Sequence, residues 1–363
     1  QSFTTYLPVA LIVASVLVLF LGLALSSVSL QKNEFRPKLL ASLVAGIGLS
    51  ISAGLFWFLG QSDQTRKMQG IESLANQIWT EVKAQLDQNT QALDYLSYLH
   101  QEQGGISKEL FHSLASHHMD KNPGLSAMGW IEKVHPIQKA TFERKKLMGQ
   151  SIRAIDSKTS DSGFLYPITY VEPYIGNEHA IGFDFGTSVE RRWALLNAMK
   201  FGEPRMTPIL QLVQDFNETP STIVFSPVYN ANKEFLGGFT GVYRLPDLIQ
   251  RAIAYLNFPE EVEFELRESE KPDQAFFSSA DAWFQNGVHF DYPLELMGQK
   301  WTLSMLASEE YLHSHHPANY LVLIIGLILT GITSLLVYRE ENDNREEILK
   351  VNAELLESKE QLE

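Results

Sequence analysis

Three uncharged apolar blocks stand out against a chain that otherwise alternates apolar and polar positions: 7–26 (LPVALIVASVLVLFLGLALS), 39–60 (LLASLVAGIGLSISAGLFWFLG) and 317–338 (PANYLVLIIGLILTGITSLLVY). Each is about 20 residues long, the length a helix needs to cross the hydrocarbon of a bilayer, so the pattern predicts three transmembrane helices. The first block is read as a span rather than a cleaved signal, which would be shorter and begin with basic residues. In the second, Gly46, Gly48, Ser52 and Gly54 provide small residues at helical spacing where another helix backbone can approach closely.

Lys32, Arg36 and Lys38 lie between the first two blocks, and Arg339, Arg345 and Lys350 follow the third. Basic residues mark cytoplasmic loops, so both stretches are expected inside, with residues 61–316 and the start of the chain outside.

From 61 to 100, Ile71, Leu74, Ile78, Val82, Leu86, Leu93 and Leu96 recur at spacings of three, four or seven. This is the stripe of an amphipathic stalk helix. Beyond the third block, Val337, Ile348, Val351, Leu355 and Leu362 fall on heptad a and d positions, while Glu341, Asn344 and Ser358 place polar groups in the same seam. A parallel, dimeric coiled coil over 339–363 is expected, leading to a cytoplasmic effector attached after Glu363.

Residues 101–316 alternate short elements. A helix is predicted at 107–118, a strand at 125–134, and a first helical turn at Pro136. Strands are predicted at 164–171, 221–229, 236–243, 261–267, 288–292 and 300–306, with a capped helix at 187–201 and a turn at Asn230-Ala231-Asn232. The order is α+β with mostly antiparallel sheet.

Composition then narrows the function. The chain has no cysteine, which removes disulfides, thiolate nucleophiles and zinc ribbons. Its formal charge is −14, and the outer segment 61–316 alone has 22 basic against 33 acidic residues, a net of −11. With no basic stripe to offset that field, nucleic acid is excluded as a partner. No phosphate-binding loop, nucleophile elbow or HExxH motif occurs, so this stretch of chain reads as non-enzymatic. His313, His315, His316, His117 and His118 lack neighbouring acidic ligands, and no metal or cofactor is assigned.

GWIEKV from Gly129, FLYPITYVEPY from Phe164, GFD at Gly182, ERRWALLNAMKFGEPRMTP from Glu190, FSPVY from Phe225 and GGFTGVYRLPDLI from Gly237 together resemble the CHASE domain, an extracellular sensory module of bacterial and plant receptors that include cytokinin-receptor kinases. The resemblance implies a stalk helix carrying two PAS-like subdomains, with a small-molecule pocket in the distal one. It also implies a following membrane helix leading to a histidine kinase first, or a diguanylate cyclase or phosphodiesterase next. The expected architecture is therefore an α+β extracytoplasmic sensor with three spans and a cytoplasmic coiled-coil stub, a homodimer in a bacterial inner membrane. A simple family member has one span before the sensor, so the extra one departs from the pattern.

By the same resemblance, Asp184 of GFD stands where plant members contact ligand ring nitrogens, which implies an adenine-like or amine-bearing ligand; a helix cap near Thr187 is the other role this Asp could fill. Met206, before Thr207 and Pro208, stands where the family offers backbone groups to the ligand. Trp130, Tyr166, Tyr170, Phe225 and Tyr229 lie on the predicted strands and could form an aromatic pocket wall or plain core. Of Arg191 and Arg192, one must face inward, to pair with a carboxylate of the domain or with an anionic ligand. Two other function classes compete with a small-molecule receptor: an ectodomain that docks a partner protein or is purely structural, and an ectoenzyme.

Overall fold

The computed structural model describes residues 36–122, 124–155, 163–212, 219–280 and 287–360. The predicted first span at 7–26 lies outside the described residues. In chain order the elements are α1 (Arg36–Gln103), α2 (Lys108–Lys121), β1 (Leu125–Glu132), α3 (Lys139–Lys146), β2 (Arg153–Ala154), β3 (Ile168–Glu172), β4 (Phe183–Asp184), α4 (Val189–Phe201), β5 (Arg205–Met206), β6 (Ser221–Tyr229), β7 (Phe235–Arg244), α5 (Leu245–Ile253), β8 (Val262–Glu268), β9 (Ala275–Ser278), β10 (Gly287–Leu296), β11 (Gln299–Ser308), α6 (Glu309–His313) and α7 (Pro317–Glu360). Short 3-10 turns occupy Pro136–Gln138, Glu178–Ala180 and Phe185–Thr187. The chain forms two compact units, one from the described residues up to Gly70 with those from Glu309 onward, the other Ile71–Ser308.

In the first unit, α1 and α7 are each long and apolar enough to cross a membrane. They meet through small residues: a Cβ on Gly48 would lie 2.4 Å from Thr330 Oγ1, and one on Gly326 would lie 2.5 Å from Ser52 Oγ. Two of the four small residues anticipated in the second block thus make the packing face, and the contact brings Ser334 Oγ to donate to Ala41 O at 2.8 Å. At the polar end of the same pair, Asp63 Oδ2 accepts from His316 N (3.1 Å) and Asn319 Nδ2 (2.5 Å), and Lys67 Nζ donates to the carbonyls of Tyr311 and Ser314. Past the apolar stretch, Ile348, Val351 and Leu355 of the predicted seam are exposed along α7.

The second unit is a mixed helix-and-sheet fold built on the stalk part of α1. All seven apolar positions of the predicted stalk stripe, Ile71 to Leu96, are buried. Burying a Val, Leu or Ile completely is worth about 1.5–3 kcal/mol each, so the stripe is a main source of stability. The end of the stalk lies against a five-stranded sheet of order β3-β1-β7-β6-β5, antiparallel throughout, where Ser226 Oγ of β6 donates to Asp94 Oδ1 at 2.8 Å. A second sheet, β10-β11-β8-β9, is also antiparallel and buries Trp301, Leu303 and Met305 of β11. Ser107 caps α2 by accepting from Leu110 N, and Gly202 ends α4 in the left-handed conformation.

The predicted strand at 164–171 is displaced: β3 begins at Ile168, and Leu165 and Pro167 form only isolated bridges, to Val134 and Asp184. Proline has no N–H to give to a ladder, which breaks the strand there.

Candidate functional site

The two faces of the five-stranded sheet serve different purposes. On one, Trp130 stacks on His100 of α1 (ring centroids 4.2 Å apart) and tilts against Phe239 (4.6 Å), and Tyr170 lies 5.8 Å from Phe111 of α2. Glu172 on this face receives hydrogen bonds from Ser116 Oγ (2.9 Å) and the His112 ring. Burial drives the His100 imidazole down to about 4, with Lys146 adding to the effect, so it is neutral at physiological pH.

On the other face, Ile131, Tyr166, Phe185, Phe225 and Phe235 cluster with Ala194 and Leu195 of α4. Beside that cluster the sheet opens into a cavity of about 420 Å³. Its floor is Ala127, Ile168, Val171, Ile223, Thr240 and Val242; its roof is the 173–180 loop with Phe183 and Phe185; Arg191, Arg244 and Asp247 also line it. The size and the mix of apolar wall with a few polar groups suit a small organic molecule.

The roof is positioned by Asp184. Gly182 sits at φ +84°, and a Cβ there would lie 2.8 Å from Ser151 O, so this approach requires glycine. It lets Phe183–Asp184 pair in parallel with Arg153–Ala154. Asp184 Oδ1 then accepts from Tyr166 N and Gly186 N, both at 3.0 Å. Burial raises its carboxyl above the ordinary range, opposed by those two amides.

A second cleft, about 490 Å³, lies between α4 and the second sheet and shares Ile155 and Arg191 with the first cavity. Its walls are internally bonded. Arg191 Nη1 donates to Ser188 Oγ (3.2 Å), Ser188 Oγ to Glu190 Oε2 (2.9 Å), and Glu268 accepts from Ile209 N (2.7 Å) and Lys271 Nζ (2.9 Å).

A family model described as "CHASE domain" matches residues 104–277. Those residues are a CHASE domain. The match covers the five-stranded sheet with its cavity, and β8 with all but the last residue of β9 of the second sheet; the stalk and strands β10 and β11 lie outside it. A CHASE domain is an extracellular sensor of a signalling receptor, consistent with two apolar helices that could anchor it.

Among curated proteins, none matches this chain in sequence. Among solved structures, the chain is similar to an extracellular ligand binding receptor from Desulfohalobium retbaense DSM5692 (12% identity, TM-score 0.44), covering 66% of this chain but 40% of the receptor. It is also similar to the sensory domain of the Campylobacter jejuni chemoreceptor Tlp3 with isoleucine bound (12% identity, TM-score 0.42, 71% and 98% of the two chains). A third is an extracellular domain attributed to a histidine kinase, rpHK1S-Z16 (10% identity, TM-score 0.44, 69% and 98%).

Within the CHASE domain, the seven residues singled out from sequence do not converge on the cavity wall. Trp130 and Tyr170 face the helices. Tyr166 and Phe225 belong to the core beside α4, and Tyr229 donates its hydroxyl to Met199 O at 2.9 Å. Met206 is fully buried, and its backbone does offer both groups, but to the second sheet: its N–H donates to Met297 O (3.1 Å) and its carbonyl accepts from Gln299 Nε2 (2.8 Å). Asp184 lies next to the two roof aromatics, with its Oδ1 turned to the two amides. Of the arginine pair, Arg191 is the inward one, buried and in the wall, while Arg192 is half-buried. The cavity residues missed from sequence, Thr240, Arg244 and Asp247, sit in the GFTGVYRLPD run where β7 turns into α5. Proline at the second helical position and an acid in the first turn marked that junction.

Proposed function

We propose that this chain is the sensory and membrane-anchoring part of a transmembrane receptor whose CHASE cavity binds a small molecule. The observation that carries the reading is the 420 Å³ cavity, roofed by residues of the GFD block and lined by apolar side chains together with Ser126, Asn177, Arg191, Thr240, Arg244 and Asp247. Occupancy would order the roof and alter the joints between the two sheets, at Arg191 and at Met206, before the signal continues to α7. In this reading the two sheets are PAS-like subdomains on one stalk, the chain crosses the membrane three times, and the exposed seam of α7 pairs with a second copy. The dimeric coiled coil then biases a cytoplasmic output domain, a histidine kinase first and a diguanylate cyclase or phosphodiesterase next.

The test is a thermal-shift screen of the whole chain in lipid nanodiscs against adenine derivatives, amines, amino acids and carboxylic acids. The reading expects saturable stabilisation by at least one compound. A folded chain that no small molecule stabilises, but that captures a purified periplasmic protein, would replace it with the partner-docking ectodomain.

A further inference from the structure

We infer that Asp63 and Lys67 are positioning residues for signal transmission: together they clasp the break between α6 and α7 onto α1 and so fix the register of α7 against it. The clasp lies in the membrane-anchoring unit and is independent of what the CHASE cavity holds.

The break is where the chain is least able to hold itself. α6 ends at His313, residues 314–316 are not helical, and α7 begins at Pro317. Helix ends leave carbonyls on one side and N–H groups on the other without intrahelical partners. Here a single helix serves both sides. Lys67 Nζ donates to Tyr311 O (2.5 Å), Ser314 O (2.6 Å) and Ser314 Oγ (2.7 Å) on the α6 side. Asp63 Oδ2 accepts from His316 N (3.1 Å) and Asn319 Nδ2 (2.5 Å) on the α7 side. The two stand one turn apart on α1, and each has the polarity of the groups it meets: a donor for carbonyls, an acceptor for N–H groups. The cap that the break supplies for itself is longer, His316 Nδ1 accepting from Ala318 N at 3.3 Å.

Apolar contact seats the same break. The His315 ring lies 5.0 Å from the ring of Phe56, which is buried, and 6.0 Å from that of Tyr320. It sits over Gly60, where a Cβ would lie 2.6 Å from its Cε1.

Below the clasp, the helices meet through small residues, Gly48 with Thr330 and Ser52 with Gly326. Such contacts let backbones approach but interpose no large side chain to stop one helix from slipping a turn along the other. The polar end therefore sets the register, and α7 carries it as one unbroken helix to Glu360. Because α6 follows β11 directly, at Ser308 and Glu309, a movement of that strand reaches the clasp before it reaches the membrane.

The experiment uses the whole chain in nanodiscs, with cysteine in place of Ala41 and a second cysteine, in separate variants, in place of Thr330, Ser334 or Tyr338, successive turns of α7. Ala41 lies about 33 Å along α1 from Asp63, so a change there is not a local effect of the substitution. Mild oxidation of the parent chain should favour the 334 product, since Ser334 Oγ donates to Ala41 O. Asp63→Ala should raise the 330 and 338 products relative to the 334 product by about 5-fold, the size of a lost helix cap, while unfolding reported by Trp130 and Trp301 stays unchanged. Asp63→Asn, which keeps an acceptor oxygen in place, should restore the parent ratio. Lys67→Met leaves the α7 side served and covers the case in which Asp63→Ala fails to fold; it should speed hydrogen exchange of the backbone amides over 309–316 about 5-fold. A product ratio unmoved by Asp63→Ala in a folded chain would overturn the proposal. So would an Asp63→Asn variant displaced as far as Asp63→Ala, or exchange over 309–316 unmoved by Lys67→Met.

Discussion

Replacing Asp184 separates its role as an acceptor from its charge. In Asp184→Ala, the N–H groups of Tyr166 and Gly186, each 3.0 Å from Oδ1, lose their acceptor in a buried setting. An orphaned buried donor costs about 1–3 kcal/mol, so two cost about 2–6. Removing a carboxylate that burial already penalises returns part of this, leaving an expected loss of about 2–4 kcal/mol. Asp184→Asn keeps an oxygen in the same place without the charge and should stay within about 1 kcal/mol of wild type. The sign of the pH response follows. Since burial raises the folded-state pKa above the ordinary 3.8, the folded chain holds this proton to higher pH than the unfolded chain does. Stability from this residue is therefore greatest at low pH and declines as pH rises from about 3.8 through the raised value, a slope that Asp184→Asn removes. The assay is urea unfolding followed by tryptophan fluorescence, with Trp130 and Trp301 as buried reporters. Equal losses for Ala and Asn, or no loss for Ala, would refute the acceptor argument.

His100 gives the opposite pH response: with a folded pKa of about 4 against 6.5 unfolded, its contribution is complete above pH 6.5 and is lost as pH falls toward 4. Discounting for partial exposure, about 2 kcal/mol should disappear in that window, and His100→Phe, which keeps a ring on Trp130, should flatten it in unfolding titrations. Gly237→Ala would place a Cβ 2.1 Å from Ile131 O, a backbone-on-backbone clash, and should cost about 3 kcal/mol, read as a fall in melting temperature. Because the chain has no cysteine, an Ala41→Cys/Ser334→Cys pair should form an intramolecular crosslink on mild oxidation, and adding Gly326→Ile should suppress it by driving the helices apart.

The elements with strong periodicity were legible from the residues: the stalk stripe is buried position by position, and β6 occupies 221–229 as predicted. The short elements were not. β2, β4 and β5 have two residues each, too few for a period of two to declare itself, and they hold because tertiary contacts such as the pair Ala154↔Asp184 fix them. For the site, the block containing Asp184 adjoins the cavity, since Phe183 and Phe185 form part of the roof. Which aromatics face the cavity could not be read, because on a sheet buried on both faces the alternation of apolar and polar residues vanishes: β6 is buried at eight consecutive positions. Arg191 was visible only as one of two adjacent arginines, and the helix phase relative to the sheet decides between them.

The central claim is that a small molecule enters the cavity between the five-stranded sheet and its roof. Ala127 lies on the floor and is buried, so Ala127→Phe fills the space from the sheet side without touching the roof. The decisive measurement is the ligand-dependent shift in melting temperature for wild type and Ala127→Phe side by side in nanodiscs, with circular dichroism to show that both are folded. The account predicts a saturable rise in the wild type that is absent in the variant; an equal rise in both would place the ligand elsewhere and contradict it.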